Sequence, residues 1–183
     1  MRRQTTKELL AESFLELAQK TSIDKITITE ITNNCQMSQP TFYNHFQDKY
    51  DLIAWVYTKN VNRIMENIGQ EDYKWENTLM DGAKYFEDNK VFILNALKHT
   101  SGQDSFMRNM TAINEKLLIT EIRKKLKQKK MPILLEYYIK FYCHGTVQFL
   151  FDWLIGEINL TCEEIAEIWK NSLPEVLKIY LLS

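Results

Sequence analysis

Five side chains within seven positions, Gln39, Thr41, Tyr43, Asn44 and His45, are neutral hydrogen-bonding groups. A helix face turned to solvent usually carries Lys and Glu. Carboxamides, hydroxyls and an imidazole instead suit the edges of nucleic acid: Gln or Asn bonds the N6 and N7 edge of adenine, and Thr, Tyr and His commonly reach phosphate oxygens. The same set also fits an ordinary surface helix. Other chemistries find less support. Cys35, Cys143 and Cys162 are odd in number and show no CxxC spacing, so neither a disulfide framework nor a zinc knuckle is expected, and a reducing cytoplasm fits. Adjacent Cys143 and His144 diverge around a helix, which argues against a shared metal; no metal and no cofactor are expected. His99 and His144 could orient a polar ligand or simply be hydrogen-bonded structure. No GxSxG, HExxH, Walker or Rossmann pattern occurs, and no enzyme is expected.

The elements that must position the 39–45 set can be read from caps and stripes. Leu10, Phe14 and Leu17, with Ala11 and Ala18 beside them, give a first helix one apolar stripe over roughly residues 5–20. Thr27 precedes Glu30 at the capping-box spacing, and Ile26 with Ile31 fits the flanking staple, so a second helix starts at Ile28. Asn33 and Asn34 keep it short. Ser38 then caps a third helix with Pro40 in its first turn, where a missing N–H does no harm. Phe42 and Phe46 share one face of that helix and can pack on Ile31, Cys35 and Met37. Gln39, Thr41, Tyr43, Asn44 and His45 are left facing outward. Asp48 caps a fourth helix that runs to about Ile68, ended by Gly69-Gln70, without a flexible linker.

Further helices are expected near 73–88, 90–99, 104–130, 132–157 and 162–181. Breaks fall at Asn89, Ser101-Gly102, Met131-Pro132 and Asn159, and Thr161 with Glu164 caps the last helix. Only five Gly and three Pro in 183 residues, 45% of them hydrophobic, support an all-α chain of about nine helices. The 132–157 segment carries Leu135, Ile139, Tyr142, Thr146, Phe149 and Trp153 on one stripe. Leu134, Phe141, Leu150 and Leu154 widen it beyond what one neighbour covers, so two partners are implied. Glu136, Lys140, His144 and Asp152 argue against a membrane span there. The basic N-terminus runs straight into an amphipathic helix, unlike a signal peptide. The Arg123–Lys130 charge run reads as a solvated helix C-terminus complementing the macrodipole. A net charge of −1 does not favour DNA, and residues 1–63 carry eight basic side chains against seven acidic ones, so a DNA-binding reading rests on local geometry.

Thr27-Ile28-x-x-Ile31 and then Met37-Ser38-x-x-Thr41-Phe42-Tyr43-x-His45-Phe46-x-x-Lys49-x-x-Leu52 resembles the helix-turn-helix of the TetR family. The resemblance implies a cytoplasmic homodimer that binds palindromic double-stranded operator DNA. It implies phosphate contacts from Thr27, Tyr43, His45 and Lys49, and base-edge positions for Gln39, Pro40, Thr41 and Asn44, with Ser38 at the helix start. Plainer roles stay open: Thr27 as a cap, Tyr43 packed on the first helix, Lys49 solvated. Arg2, Arg3 and helix N-termini would add phosphate contacts. Gln36 stands where the family turn usually has Gly, and a left-handed Gln36 costs about 1–2 kcal/mol; Pro40 stands where a small residue is usual. Residues 1–47 would be the DNA-binding domain and 48–183 a helical ligand-binding and dimerisation domain. Dimerisation would use the last two helices, 132–157 and 162–181. Gly145 would allow close approach there or pack within the subunit. Trp55, Tyr85, Phe86, Phe92, Phe106, Tyr138 and Tyr142 fall on helices that surround the family's effector cavity, and equally suit plain core. Phe141-Tyr142-x-x-Gly145 through Trp153-Leu154 is more loosely similar to a subgroup that includes regulators of dihydroxyacetone kinase operons. The expected function is a repressor released from its operator by a small molecule. The alternative is an activator or co-regulator controlled by a protein partner.

Overall fold

The computed structural model describes residues 4–68, 70, 72–102, 105–126 and 130–182, and all its regular elements are helices. They are α1 (Thr6–Ala18), α2 (Ile28–Asn34), α3 (Gln39–Tyr43), α4 (Lys49–Met65), α5 (Trp75–Asp88), α6 (Lys90–Lys98), α7 (Phe106–Lys125), α8 (Ile133–Ile155), α9 (Cys162–Asn171) and α10 (Glu175–Leu181). Reciprocal caps start three of them. Thr5, Thr27 and Thr161 each accept the N–H of the glutamate three residues on, and that glutamate takes the threonine N–H in return. Asp48 accepts the N–H groups of Tyr50 and Asp51 at 2.8 Å and so begins α4.

The expected last helix, 162–181, is two. Pro174 has no N–H to give and its ring would collide with the preceding turn, so α9 stops at Asn171 and Pro174 becomes the cap of α10. That makes ten helices among the described residues where about nine were expected. Gly156, at φ 88°, ends α8 in the left-handed conformation that glycine takes without penalty.

Helices α1 to α3 pack around Phe14, Ile31 and Phe42, and α4 carries this core onward through Leu52 and Val56. The same apolar cluster continues into α6 and α8: Phe14 of α1 meets Phe92 of α6 edge-on at 6.2 Å, and Phe92 lies 6.3 Å from Phe106. A second cluster joins Trp75, Leu118, Ile139 and Tyr142 to Leu177 of α10. Pairwise, α5 lies along α9, α7 along α8, and α10 against both α7 and α8. Among the described residues no helix is long and apolar enough to cross a membrane.

Candidate nucleic-acid interface and adjoining cavity

The turn between α2 and α3 is closed by the backbone. Met37 N–H donates to Thr32 O at 2.8 Å, and Gln36 adopts φ 56° to let the chain reverse. Ser38 Oγ accepts the Thr41 N–H and pairs with the Thr41 hydroxyl at 2.8 Å. Phe42 is wholly buried and Phe46 nearly so, their rings 5.7 Å apart, and Phe46 also meets Trp55 at 5.8 Å. Two buried rings on one side leave the opposite side of α3 to solvent. Ser38, Gln39, Pro40, Tyr43 and Asn44 are exposed there, Tyr43 at 55%, while Thr41 and His45 are half-buried. On the α2 side, Gln39 Nε2 donates to Thr29 Oγ1 at 2.7 Å, which orients the carboxamide and leaves its oxygen free to accept. Thr27 is exposed at the start of α2, its hydroxyl held 2.7 Å from Glu30, whose carboxyl is kept below its ordinary range by the Thr27 N–H and hydroxyl. Helix α2 is bound to α1 by Ser13 Oγ on Ile31 O and by Asn34 on Ser13 and Glu16.

Lys49 departs from the expected phosphate contact. Its Nζ lies 2.8 Å from each of Ile23 O, Asp24 O and Ile26 O, so all three ammonium donors are committed to the loop between α1 and α2. Partial burial pulls its pKa down, opposed by the Asp24 and Glu30 charges. The same loop is held from the other side by Asn95 of α6, which accepts the Ile23 N–H at 2.9 Å and donates to Ala18 O and Thr21 O. Arg2 and Arg3 lie outside the described residues. Of the Arg123–Lys130 run, Lys124 pairs with Glu121 and Arg123 lies 3.8 Å from Glu136, while residues 127–129 lie outside the described set.

A cavity of about 110 Å³ opens between α4, α5, α7, α8 and α9. Three of the seven aromatics expected around it, Tyr85, Phe86 and Tyr142, do line it. The other four do not. Trp55 meets Phe46 edge-on beneath the Lys59 ammonium, Phe92 and Phe106 fill the core next to Phe14, and Tyr138 faces outward from α8. The wall also takes Tyr57, Asn114, Trp75 and Trp169, which the sequence did not single out. Tyr57 and Tyr142 are buried, and desolvation pushes both phenols far above their usual pKa; Tyr57 donates to Asn114 Oδ1 and Tyr142 to Trp169 O, each at 2.7 Å. The Tyr85 phenol is pushed up to about 12 by the same cause. The histidines lie elsewhere: His99 is 3.4 Å from Asp24 and His144 is 3.5 Å from Glu115.

A helix capped at its start, wedged by two phenylalanines and presenting hydrogen-bonding groups across a tight turn, carried on a larger all-helical body, defines a helix-turn-helix regulator. Residues 14–56 match the family model for bacterial regulatory proteins of the tetR family, and residues 73–175 match that for a transcriptional regulator C-terminal region. The chain belongs to the TetR family: it is a transcriptional regulator with an N-terminal DNA-binding part. Regulators of this family are transcription factors that bind operator DNA as dimers and are not enzymes. Over 87 residues the chain is 26% identical to the HTH-type dhaKLM operon transcriptional activator DhaS of Lactococcus lactis subsp. lactis (strain IL1403), covering 48% of this chain and 46% of that protein. The match therefore spans about half the length of that curated relative. The fold is similar to that of a solved dihydroxyacetone kinase operon activator DhaS, with a TM-score of 0.63 at 21% identity over 96% of this chain and 98% of the other. It is also similar to a TetR transcriptional regulator from Streptococcus agalactiae 2603V, with a TM-score of 0.65 at 20% identity over 93% and 94%.

Proposed function

We propose that the chain acts in the cytoplasm as a two-part, ligand-responsive dimer: residues 1–47 read a palindromic operator, and residues 48–183 bind a small effector and pair the subunits. The observation that carries this is the solvent face of α3, neutral and hydrogen-bonding, held outward by buried Phe42 and Phe46. Gln39, Pro40, Thr41 and Asn44 would meet base edges, and Thr27, Ser38, Tyr43 and His45 the flanking phosphates. The cavity supports control by a small molecule over control by a protein partner. Pairing would use the outer face of α8, where Leu134, Tyr137 and Phe141 are exposed (Phe141 at 80%), extended by Val176 and Ile179 of α10. Gly145 lies on this exposed face, and a Cβ added there would meet nothing within 4 Å in its own subunit, which favours close approach by the second copy. The segment 162–171, expected to share in the pairing, lies against α5 and turns Glu163, Glu164 and Glu167 outward.

Repression relieved by the effector is the proposed output. Activation is the second reading, favoured by the likeness to a transcriptional activator over part of the chain. Fluorescence anisotropy with the protein's own promoter region tests the DNA face. Tyr43→Ala and His45→Ala should weaken binding to specific and scrambled duplexes alike, whereas Gln39→Ala should lose about 1–3 kcal/mol of discrimination at one base position. Equal behaviour of the three would remove these role assignments. Deleting the gene raises expression from that promoter for a repressor and lowers it for an activator.

A further inference from the structure

The hydrogen bond that crosses the turn between α2 and α3 decides which end of the Gln39 carboxamide a base would meet. Gln39 is the first residue of α3, and its Nε2 donates to Thr29 Oγ1 of α2 at 2.7 Å. Both side chains are exposed, and the helices that carry them are fixed to one another by the Met37 N–H on Thr32 O and by buried Ile31 and Phe42. A carboxamide has a donor at one end and an acceptor at the other, and a half-turn about its last bond exchanges them. With its nitrogen tied to Thr29, Gln39 keeps Oε1 for a partner outside the protein. Its hydroxyl neighbours on α3 offer no competing hold, since Ser38 and Thr41 pair with each other at 2.8 Å.

A threonine hydroxyl both donates and accepts, so Thr29 alone would tolerate either orientation of the amide. Its proton breaks the tie. Among the described residues no acceptor takes the Thr29 hydroxyl proton, and Thr29 is exposed in the first turn of α2. A phosphate that accepts this proton, in a charge-assisted bond, leaves only oxygen lone pairs facing Gln39, and the amide can answer those only with N–H. We propose that Thr29 is a positioning residue: its proton goes to a phosphate and its lone pair to Gln39, so that Gln39 Oε1 reads the base through an exocyclic amine in the major groove, adenine N6 or cytosine N4. The second amide hydrogen stays available for adenine N7, while guanine O6 and thymine O4 would set acceptor against acceptor. This rests on the base-edge role given to Gln39 above and adds which atom reads and what aims it.

The test uses full-length protein. Duplexes selected from a randomised library supply the operator, and comparison with Gln39→Ala marks the base pair that Gln39 reads. At that pair the exocyclic amine is deleted, with purine in place of adenine or 2-pyrimidinone in place of cytosine, and affinity is measured by anisotropy. The deletion should weaken wild-type binding about tenfold. In Thr29→Val, which keeps the shape and loses the hydroxyl, the penalty should fall to about threefold or less, and in Thr29→Ser it should return to about tenfold. Thr29→Ala takes the place of the valine variant if that one does not fold. A Thr29 that only holds a phosphate, or only shapes α2, would weaken every duplex by one factor and leave the penalty at its wild-type value; that result overturns the proposal. Indifference of the wild-type protein to the amine overturns it too, since Gln39 would then read through its nitrogen. In both cases Gln39→Ala still loses preference at one position, so the base-edge role stands while the positioning role falls. If Gln39→Ala alters preference nowhere, the base-edge role itself falls and takes the proposal with it.

Discussion

Lys49 places a positive charge beside a DNA-binding helix yet spends all three of its donors on carbonyls of residues 23, 24 and 26. Those acceptors are backbone atoms, invisible to any pattern of side chains, which is why its family position pointed to phosphate and its geometry does not. Lys49→Met should therefore act on the fold: removing hydrogen bonds from an ammonium to three carbonyls costs about 1–3 kcal/mol. At about 2–4 °C per kcal/mol for a chain of this size, calorimetry would show a clear drop. The salt dependence of operator binding should not change, whereas loss of a true phosphate contact would flatten its logarithmic slope by about one. A flattened slope with unchanged melting would reinstate the phosphate role. Gln36 is the opposite case, since its departure from glycine was legible in the sequence and its φ of 56° confirms the strain. Gln36→Gly should stabilise the protein by about 1 kcal/mol, the left-handed penalty less the added freedom of the unfolded chain. Operator affinity should persist; a lower melting temperature would show that the Gln36 side chain contributes more than its backbone costs.

At the scale of elements, the helix starts were legible wherever a side chain caps them: Thr27 with Glu30, Ser38, Asp48, and Thr161 with Glu164 all stand at the first turns they were expected to open. Depth was less legible than direction. Periodicity says which face of a helix is apolar, and Phe92, Phe106, Tyr85 and Phe86 all satisfy it. Only the three-dimensional packing sends the first two into the core with Phe14 and the others to the cavity wall. The break at Pro174 was missed because the apolar spacing continues across it from Trp169 to Leu177. The link between the two parts of the chain was equally hidden. Asn95 of α6 grips the loop after α1 through Ile23 N, Ala18 O and Thr21 O, contacts 72 to 77 residues apart in sequence. With Phe14 against Phe92, this makes α6 a direct mechanical connection from the larger part to the DNA-binding helices. Asn95→Ala should cost about 1–3 kcal/mol of stability. If the proposed ligand-responsive function holds, it should also leave ligand-free operator affinity within about twofold and shrink the change of affinity that the effector brings about. An unchanged effector response, measured by anisotropy, would leave the coupling to α4 and to the Phe14–Phe92 contact.

For the whole molecule, a net charge of −1 and a recognition helix without Lys or Arg limit what one subunit can gain from phosphate attraction. Affinity must then come from geometry, and the geometry that multiplies it is two-fold symmetry. Two copies of α3 held about 34–36 Å apart meet successive major grooves, and the second engagement is intramolecular once the first is made. The outer face of α8 is suited to holding them. Its large apolar side chains, Leu134, Tyr137 and Phe141, follow the helical spacing, Gly145 continues the row, and α10 adds Val176 and Ile179 alongside. A lysine at the centre of such a face would have to be buried without a partner. Phe141→Lys should therefore convert the protein to monomers in sedimentation velocity, and it should lower affinity for the full palindrome by about a hundredfold or more, the scale at which linked sites reinforce one another. Binding to a single half-site should change little, because Phe141 is exposed on the outer face of α8 and takes no part in the core that α8 shares with the DNA-binding helices. A variant that remained dimeric with full operator affinity would move the pairing surface elsewhere. A variant that lost half-site binding as well would show that α8 supports the DNA-binding helices directly rather than through the second subunit.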